Sequence, residues 1–211
     1  SGMVGSALLR ELKKSKHNRT VITIPRNELD LTNQEKVGTF INNIQPDEII
    51  VAAAMNTSMW SHESVKNNWN ILQKIDQVIP LDPSEGLLAC DRIGDGKMIN
   101  LDIIELATES ALIFKAQNKF LTKDLKNIRV LVTAGPTVED LDAARQLTNR
   151  SSGRMGVLIA QAAKLRGAEV DLVHGPVTFQ KELLEGLNTY PVRTATEMNK
   201  AITDLHPAAN V

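Results

Sequence analysis

The chain has 211 residues, of which 42% are hydrophobic and 23% charged, and a formal net charge of -1. Such a composition describes an ordinary globular chain with length for one large or two small domains, and it excludes a disordered polymer or a basic track built for nucleic acid. A single cysteine, Cys90, rules out an internal disulfide and a multi-cysteine metal cluster, as suits a reducing cytoplasm. No apolar run approaches the roughly 20 residues of a membrane span, and the N-terminus lacks a charged region followed by an apolar signal core. The expectation is a cytoplasmic protein with neither a membrane nor a nucleic acid as partner. Lysines between Lys115 and Lys126 are diluted by polar and apolar neighbours, so they read as a solvated surface.

The chain opens on SGMVGSALLREL, a loop running into a helix with no strand ahead of it, and closes on DLHPAANV, which reads as the start of another element. These ends suggest a piece of something longer. Apolar positions in ALLRELKK recur at helical spacing and VITIP is a short β-branched strand. A second helix fits NQEKVGTFINNI, with Thr32 as its cap and Glu35 three residues on completing a capping box. The strand EIIVAAA follows the Gln45-Pro46-Asp47 break, an order that a parallel doubly wound sheet produces. From Met55 the sequence reads as a loop and a helix to Ile75, then a short strand and a long loop rich in Gly and Asp, then an amphipathic helix, INLDIIELATESALIFKAQ. A polar linker near Leu121–Lys126 precedes a second α/β unit made of strand RVLVTAG, helix GRMGVLIAQAAKLRG and strand AEVDLVHG. The fold class is α/β with Rossmann-like parallel sheet units, and the expected segments are 1–54, 55–123 and 124–211.

The second unit carries the clearest chemistry. Its β-branched strand runs into Thr133-Ala134-Gly135-Pro136-Thr137, a tight turn at the carboxyl end of a parallel strand, where open α/β sheets bind ligands. Ser151-Ser152-Gly153-Arg154-Met155-Gly156 then heads a helix. Glycines there admit a phosphate to the backbone, and free amides, hydroxyls, the positive helix end and Arg154 supply its partners. A purely structural account, in which Ser-Ser-Gly caps the helix and Gly156 eases packing on the sheet, stands beside it on equal terms.

The TAGPT turn together with N-x-SSG-x-MG resembles the phosphopantothenate–cysteine ligase half of the bifunctional flavoprotein of coenzyme A biosynthesis. That resemblance implies CTP, accompanied by Mg2+, as the nucleotide that activates the phosphopantothenate carboxylate before cysteine attacks it. It implies that Asn149 serves the acyl-cytidylate step and that Gly135, Ser151, Ser152, Gly153, Arg154, Met155 and Gly156 bind the nucleotide. An amide suits the first role because it donates to a developing oxyanion without titrating. The family's later lysine-rich motif would lie beyond Val211, so an incomplete ligase site and poor activity of the isolated chain are expected.

The middle segment is similar to the other half of that protein, the FMN-dependent phosphopantothenoylcysteine decarboxylase. Ala54-Met55-Asn56-Thr57-Ser58-Met59-Trp60 resembles its P-A-M-N-x-x-M-W motif, with Ala53 in the place of proline. The resemblance implies that Asn56 and Met59 meet the substrate. It also implies that Leu88-Ala89-Cys90 through Gly96-Lys97-Met98 forms a clamp whose Cys90 donates a proton, a role a thiol's pKa permits. Asp91 and Arg92 follow the cysteine where the family has glycine. The flavin-binding half of the family and its catalytic histidine find no match here. His62 does not correspond to it, and His17, His174 and His206 read as lone surface or loop residues. The family builds its flavin site between subunits, which implies a homo-oligomer.

Gly2-Met3-Val4-Gly5, then IPRNELDL and Ile49–Ala54, resemble a GDP-fucose synthase-type nucleotide-sugar reductase. Gly2 and Gly5 would be the last glycines of its G-x-x-G-x-x-G turn, Arg26 would meet the 2′-phosphate of NADP, and Asp30 and Leu31 would border the adenine. Its tyrosine–lysine pair is missing, since Tyr190 has no lysine four residues on. The two resemblances meet at Ala52–Met55. Coenzyme A biosynthesis is therefore the preferred function, with an NADP-dependent reductase or epimerase and a non-functional hybrid fragment as alternatives.

Overall fold

A computed structural model describes residues 28–30, 33–88, 92–117, 123–179 and 181–211. The expected first helix and VITIP strand, together with Gly2, Gly5, Arg26, Leu31, Thr32 and Cys90, lie outside the described residues. The chain divides into two units between Ile49 and Ile50, and each is taken by itself.

The first unit contributes α1, Gln34–Ile44. Its cap is Asn33 and not Thr32: the Lys36 N–H donates to Asn33 Oδ1 at 3.0 Å. Asparagine satisfies a first-turn amide as well as threonine does, which moves the start one residue on. Asp30 is exposed, and its carbonyl accepts the Asn33 N–H at 2.9 Å.

The second unit is entered along β1, Ile49–Ala52, which pairs with β2, Val78–Leu81. Between them stand two helices where the sequence suggested a loop and one helix: α2, Thr57–Trp60, and α3, Glu63–Leu72. Each has its own polar cap. Asn56 Oδ1 accepts the Met59 N–H at 2.8 Å, and His62 Nδ1 accepts the Ser64 N–H at 3.3 Å. Trp60 and Trp69 meet edge to face at 5.4 Å, and Trp69 Nε1 donates to Asp82 at 2.7 Å, so both indoles are structural.

The expected long loop is a hairpin. β3, Ser84–Leu87, pairs antiparallel with β4, Ile93–Lys97, in the register Leu87↔Ile93 and Gly86↔Gly94. Backbone pairing needs no β-branched side chains, which is why the composition concealed it. Helix α4, Leu101–Ala116, follows as expected, capped by Asn100.

The remainder is a three-stranded parallel sheet in the order β5-β8-β9, with β5 at Arg129–Ala134, β8 at Glu169–His174 and β9 at Asn188–Pro191. An antiparallel ribbon, β6 (Val138–Asp140) with β7 (Gln146–Thr148), projects beyond β5. Helix α5, Arg154–Leu165, makes the crossover, and α6, Ala195–Leu205, begins with a capping box of Thr194 and Glu197. The β5-α5-β8 unit matches the sequence expectation, and the fold is α/β.

The parallel sheet and α4 share one core, apart from the Ala53, Trp60 and Trp69 cluster. Val157, Ala160, Leu172 and Leu183 are each 0% exposed, and Ile103 of α4 packs among them at 1%. Burying side chains of this size stabilises the fold by roughly 1.5–3 kcal/mol each. Asp171 is the buried charge, satisfied by Arg129 Nε at 2.6 Å and by Tyr190 Oη and Asn188 Nδ2 at 3.3 Å each. Among the described residues no helix is long and apolar enough to cross a membrane.

Candidate functional site

The sheet ends in a cluster of glycines. Gly135, just after β5, and Gly153, just before α5, both have positive φ, at 80° and 79°. A Cβ on Gly153 would stand 3.1 Å from the Gly135 Cα and 3.0 Å from Val177 Cγ1, while a Cβ on Gly135 would stand 3.5 Å from Gly175. The turn after β5, the head of α5 and the turn after β8 therefore meet backbone to backbone, at the edge where parallel sheets take ligands. Gly156 lies differently. Its missing Cβ faces Thr133 O and Ala134 Cβ, both 2.8 Å away, so this glycine serves helix–strand packing.

Polar groups line the approach to α5. Asn149 Oδ1 accepts the Ser151 N–H at 3.1 Å, Ser151 Oγ accepts the Gly153 N–H and Ser152 Oγ the Arg154 N–H, each at 3.3 Å. The N-cap, Gly153, has no side chain to offer. The first intrahelical bond is Val157 N–H to Gly153 O, so the Met155 and Gly156 amides precede the helical ladder. The Asn149, Ser151, Ser152, Arg154 and Met155 side chains are exposed. Arg154 is engaged already, with Nη2 2.8 Å from Asp102 Oδ2 of α4.

The β6-β7 ribbon frames this edge. Thr148 Oγ1 donates to Thr137 O at 2.8 Å, Arg193 Nη2 to Asp140 at 2.7 Å, and the first amide of α6, Ala195, to Glu139 Oε1 at 2.8 Å. Strands of three residues gave no sequence signal. His174 was read as a surface residue but is 8% exposed, at the carboxyl end of β8, with Nδ1 2.8 Å from Gly175 O. Its place at the end of an apolar run was the available cue.

The decarboxylase-like motif docks on the hairpin. The Met55 N–H donates to Gly96 O at 2.9 Å, and a Cβ on Gly96 would overlap Met55 O. A cleft of about 480 Å3 opens there, lined by Met55, Asn56, Leu87, Leu88, Lys97 and Met98 among others. Asn56 is exposed, and with Oδ1 committed to the Met59 amide its Nδ2 is left to donate. Leu88 N–H to Arg92 O, at 2.8 Å, closes the far end of the hairpin, and Cys90 falls between those two residues. Met59 is 53% exposed on α2. Among the described residues no group of three or more His, Cys, Asp or Glu could hold a metal ion.

Residues 125–211 match the family profile described as the DNA/pantothenate metabolism flavoprotein C-terminal domain, and residues 1–79 match the NAD dependent epimerase/dehydratase family. The coenzyme A biosynthesis bifunctional protein CoaBC of Bacillus subtilis (strain 168) is 35% identical over 166 residues, covering 76% of this chain and 38% of that protein. CoaBC of Escherichia coli (strain K12) is 37% identical over 158 residues, 74% of this chain and 36% of its own. A protein named cysteine/cysteine sulfinic acid decarboxylase, from an unknown prokaryotic organism, is 37% identical over 72% of this chain and 41% of its own length. The chain thus spans about two fifths of the curated relatives it matches. Among solved structures, the crystal structure of the CoaBC C-terminal domain aligns with 42% of this chain and 44% of its own at 39% identity, with a TM-score of 0.39. Over roughly three quarters of its length the chain is similar in sequence to CoaBC.

Proposed function

We propose that the chain carries parts of two sites of coenzyme A biosynthesis: the nucleotide side of a phosphopantothenate–cysteine ligase and the substrate side of a phosphopantothenoylcysteine decarboxylase. The observation that supports it best is the meeting of Gly135 and Gly153 beneath the Asn149–Gly156 loop, inside the segment that matches the flavoprotein C-terminal domain. These residues fit a polyphosphate: a close backbone approach, two exposed serine hydroxyls, and first-turn amides at a positive helix end.

In the ligase step CTP supplies the leaving group that activates the phosphopantothenate carboxylate. Ser151, Ser152 and the Met155 and Gly156 amides hold phosphate oxygens, and Arg154 balances their charge. Asn149 donates through Nδ2 to the acyl-cytidylate carbonyl oxygen, which gains negative charge as the cysteine amine adds and before CMP leaves, because its Oδ1 already accepts from Ser151. Any Mg2+ arrives on the nucleotide phosphates, the usual manner for that ion. Gly156 contributes by letting α5 sit close to β5.

In the decarboxylase step Asn56 orients the substrate through Nδ2, Met59 offers an apolar wall, and Cys90 donates a proton. FMN serves that chemistry in the family this segment resembles. Soluble substrates and a single cysteine suit the cytoplasm, and assembly of several copies follows from the flavin site that the family shares between subunits.

Because a partial site should turn over poorly, binding tests the ligase part: saturable binding of CTP with Mg2+ that phosphopantothenate strengthens supports it. Binding that ignores phosphopantothenate would discard it. A second reading, an NADP-dependent nucleotide-sugar reductase or epimerase, draws on the epimerase/dehydratase match over residues 1–79. Against it, the Tyr190 hydroxyl is bound to Asp171 and serves the fold. Saturable quenching of NADPH fluorescence would favour that alternative.

A further inference from the structure

Two ion pairs tie the decarboxylase-like segment to the sheet unit. Lys97 Nζ, at the end of β4, lies 3.4 Å from Glu182 Oε1, and Asp102 Oδ2, in the first turn of α4, lies 2.8 Å from Arg154 Nη2. The second pair bears on the nucleotide loop. Arg154 is the first residue of α5, where a helix end favours an anion. The anion that meets it here is an internal carboxylate from a helix 52 residues away in sequence.

That carboxylate is held in place. The Asp102 amide donates to Asn100 Oδ1 at 2.8 Å, so the turn carrying it is capped, and the next residue, Ile103, is anchored in the core. Arg154 has no comparable anchor; its side chain is 47% exposed and can change partner.

We infer that Asp102 competes with the nucleotide for Arg154: it holds the Arg154 guanidinium at the α5 N-terminus, and a bound nucleotide's phosphates take that guanidinium from it. The inference rests on the CTP reading of the loop. Carboxylate and phosphate both engage guanidinium through the same fork of N–H donors, so each gains where the other gives way. Breaking the pair also removes one of the two ion pairs that, among the described residues, join α4–β4 to the sheet unit. By linkage, the Asp102 carboxylate and the nucleotide phosphates weaken one another's hold on Arg154 by equal factors.

The test is calorimetric titration of CTP with Mg2+ into the 211-residue chain and into Asp102→Asn, Asp102→Glu, Arg154→Gln and the Asp102→Asn/Arg154→Gln pair. Asp102→Asn should bind CTP about two- to fivefold tighter, the range that an exposed ion pair commands. Asp102→Glu should return toward wild type, and Asp102→Asn should add nothing in the Arg154→Gln background. In the wild type, CTP should speed amide exchange in the first turn of α4, a readout that needs no variant. Equal CTP affinity in wild type and Asp102→Asn overturns the inference and leaves the nucleotide reading intact. An equal gain in the Arg154→Gln background overturns it too, since the effect would then be long-range charge. A wild-type chain that binds no CTP removes the nucleotide reading and this inference with it.

Discussion

Gly153 lies against Gly135 so closely that a Cβ on the first would stand 3.1 Å from both the Cα and the N of the second. Both residues adopt the left-handed backbone region, which any other L-residue enters only at a cost. The candidate nucleotide loop is thereby fixed to the turn after β5 by backbone alone. Gly153→Ala should lower stability by about 1–3 kcal/mol, the usual cost of combined strain and overpacking. Chemical denaturation measures it, and a loss below the precision of that method would mean that the two turns are not packed as described.

Asn56 has two separable duties. Its Oδ1 caps α2 through the Met59 amide, and its Nδ2 is proposed to orient substrate. Asn56→Asp keeps the cap and removes the donor, so thermal stability should hold while substrate binding falls by at least about tenfold, the worth of a hydrogen bond to a charged group. Asn56→Ala removes both and should cost about 1 kcal/mol of stability as well. Unchanged substrate affinity in Asn56→Asp would confine this residue to capping.

The Arg129–Asp171 pair makes a sharper stability test. Asp171 is 1% exposed, and the guanidinium at 2.6 Å is its charged partner. That contact in turn holds the Arg129 pKa above its ordinary value, through the hydrogen bond first and the charge second. Arg129→Met leaves a buried carboxylate with neutral donors only and should cost about 3 kcal/mol, against about 1 kcal/mol for Tyr190→Phe. Urea midpoints rank the two, and a reversed order would show that the tyrosine, not the arginine, satisfies Asp171.

Acid sensitivity follows from the α6 capping box. The Arg193 amide first, then the Thr194 amide, donate to Glu197 and hold its carboxyl below the usual value. A depressed carboxylate contributes stability that is present above its unfolded pKa of about 4.3 and is lost as pH falls through the lower folded value. Glu197→Gln should flatten the fall in melting temperature between about pH 5 and pH 3. An identical acid limb in both proteins would show that the box does not contribute.

How much of this was legible depended on whether the signal was local. The β5-α5-β8 unit was, because RVLVTA is β-branched and apolar residues recur along α5 at helical spacing. The glycine cluster is legible as composition, and packing of Gly156 on the sheet is one of the two accounts the sequence allows, but the direct meeting of Gly135 and Gly153 is not legible. Both hairpins were hidden: GDG in β4 and VED in β6 have no strand-like composition and are held by partners further along the chain. The Asp102–Arg154 pair spans two segments whose packing no local pattern encodes. His174, expected as a surface or loop residue, is buried, and its place at the end of the apolar run of β8 is the one cue the sequence offers.

Titration of CTP with Mg2+ into the folded 211-residue chain, beside Gly153→Ala shown to be folded by circular dichroism, tests the central claim most directly. The account predicts saturable binding by the wild type and a loss of at least about tenfold in Gly153→Ala, in keeping with a displaced phosphate-binding turn. Equal binding by the two proteins, or none by the wild type, would contradict it.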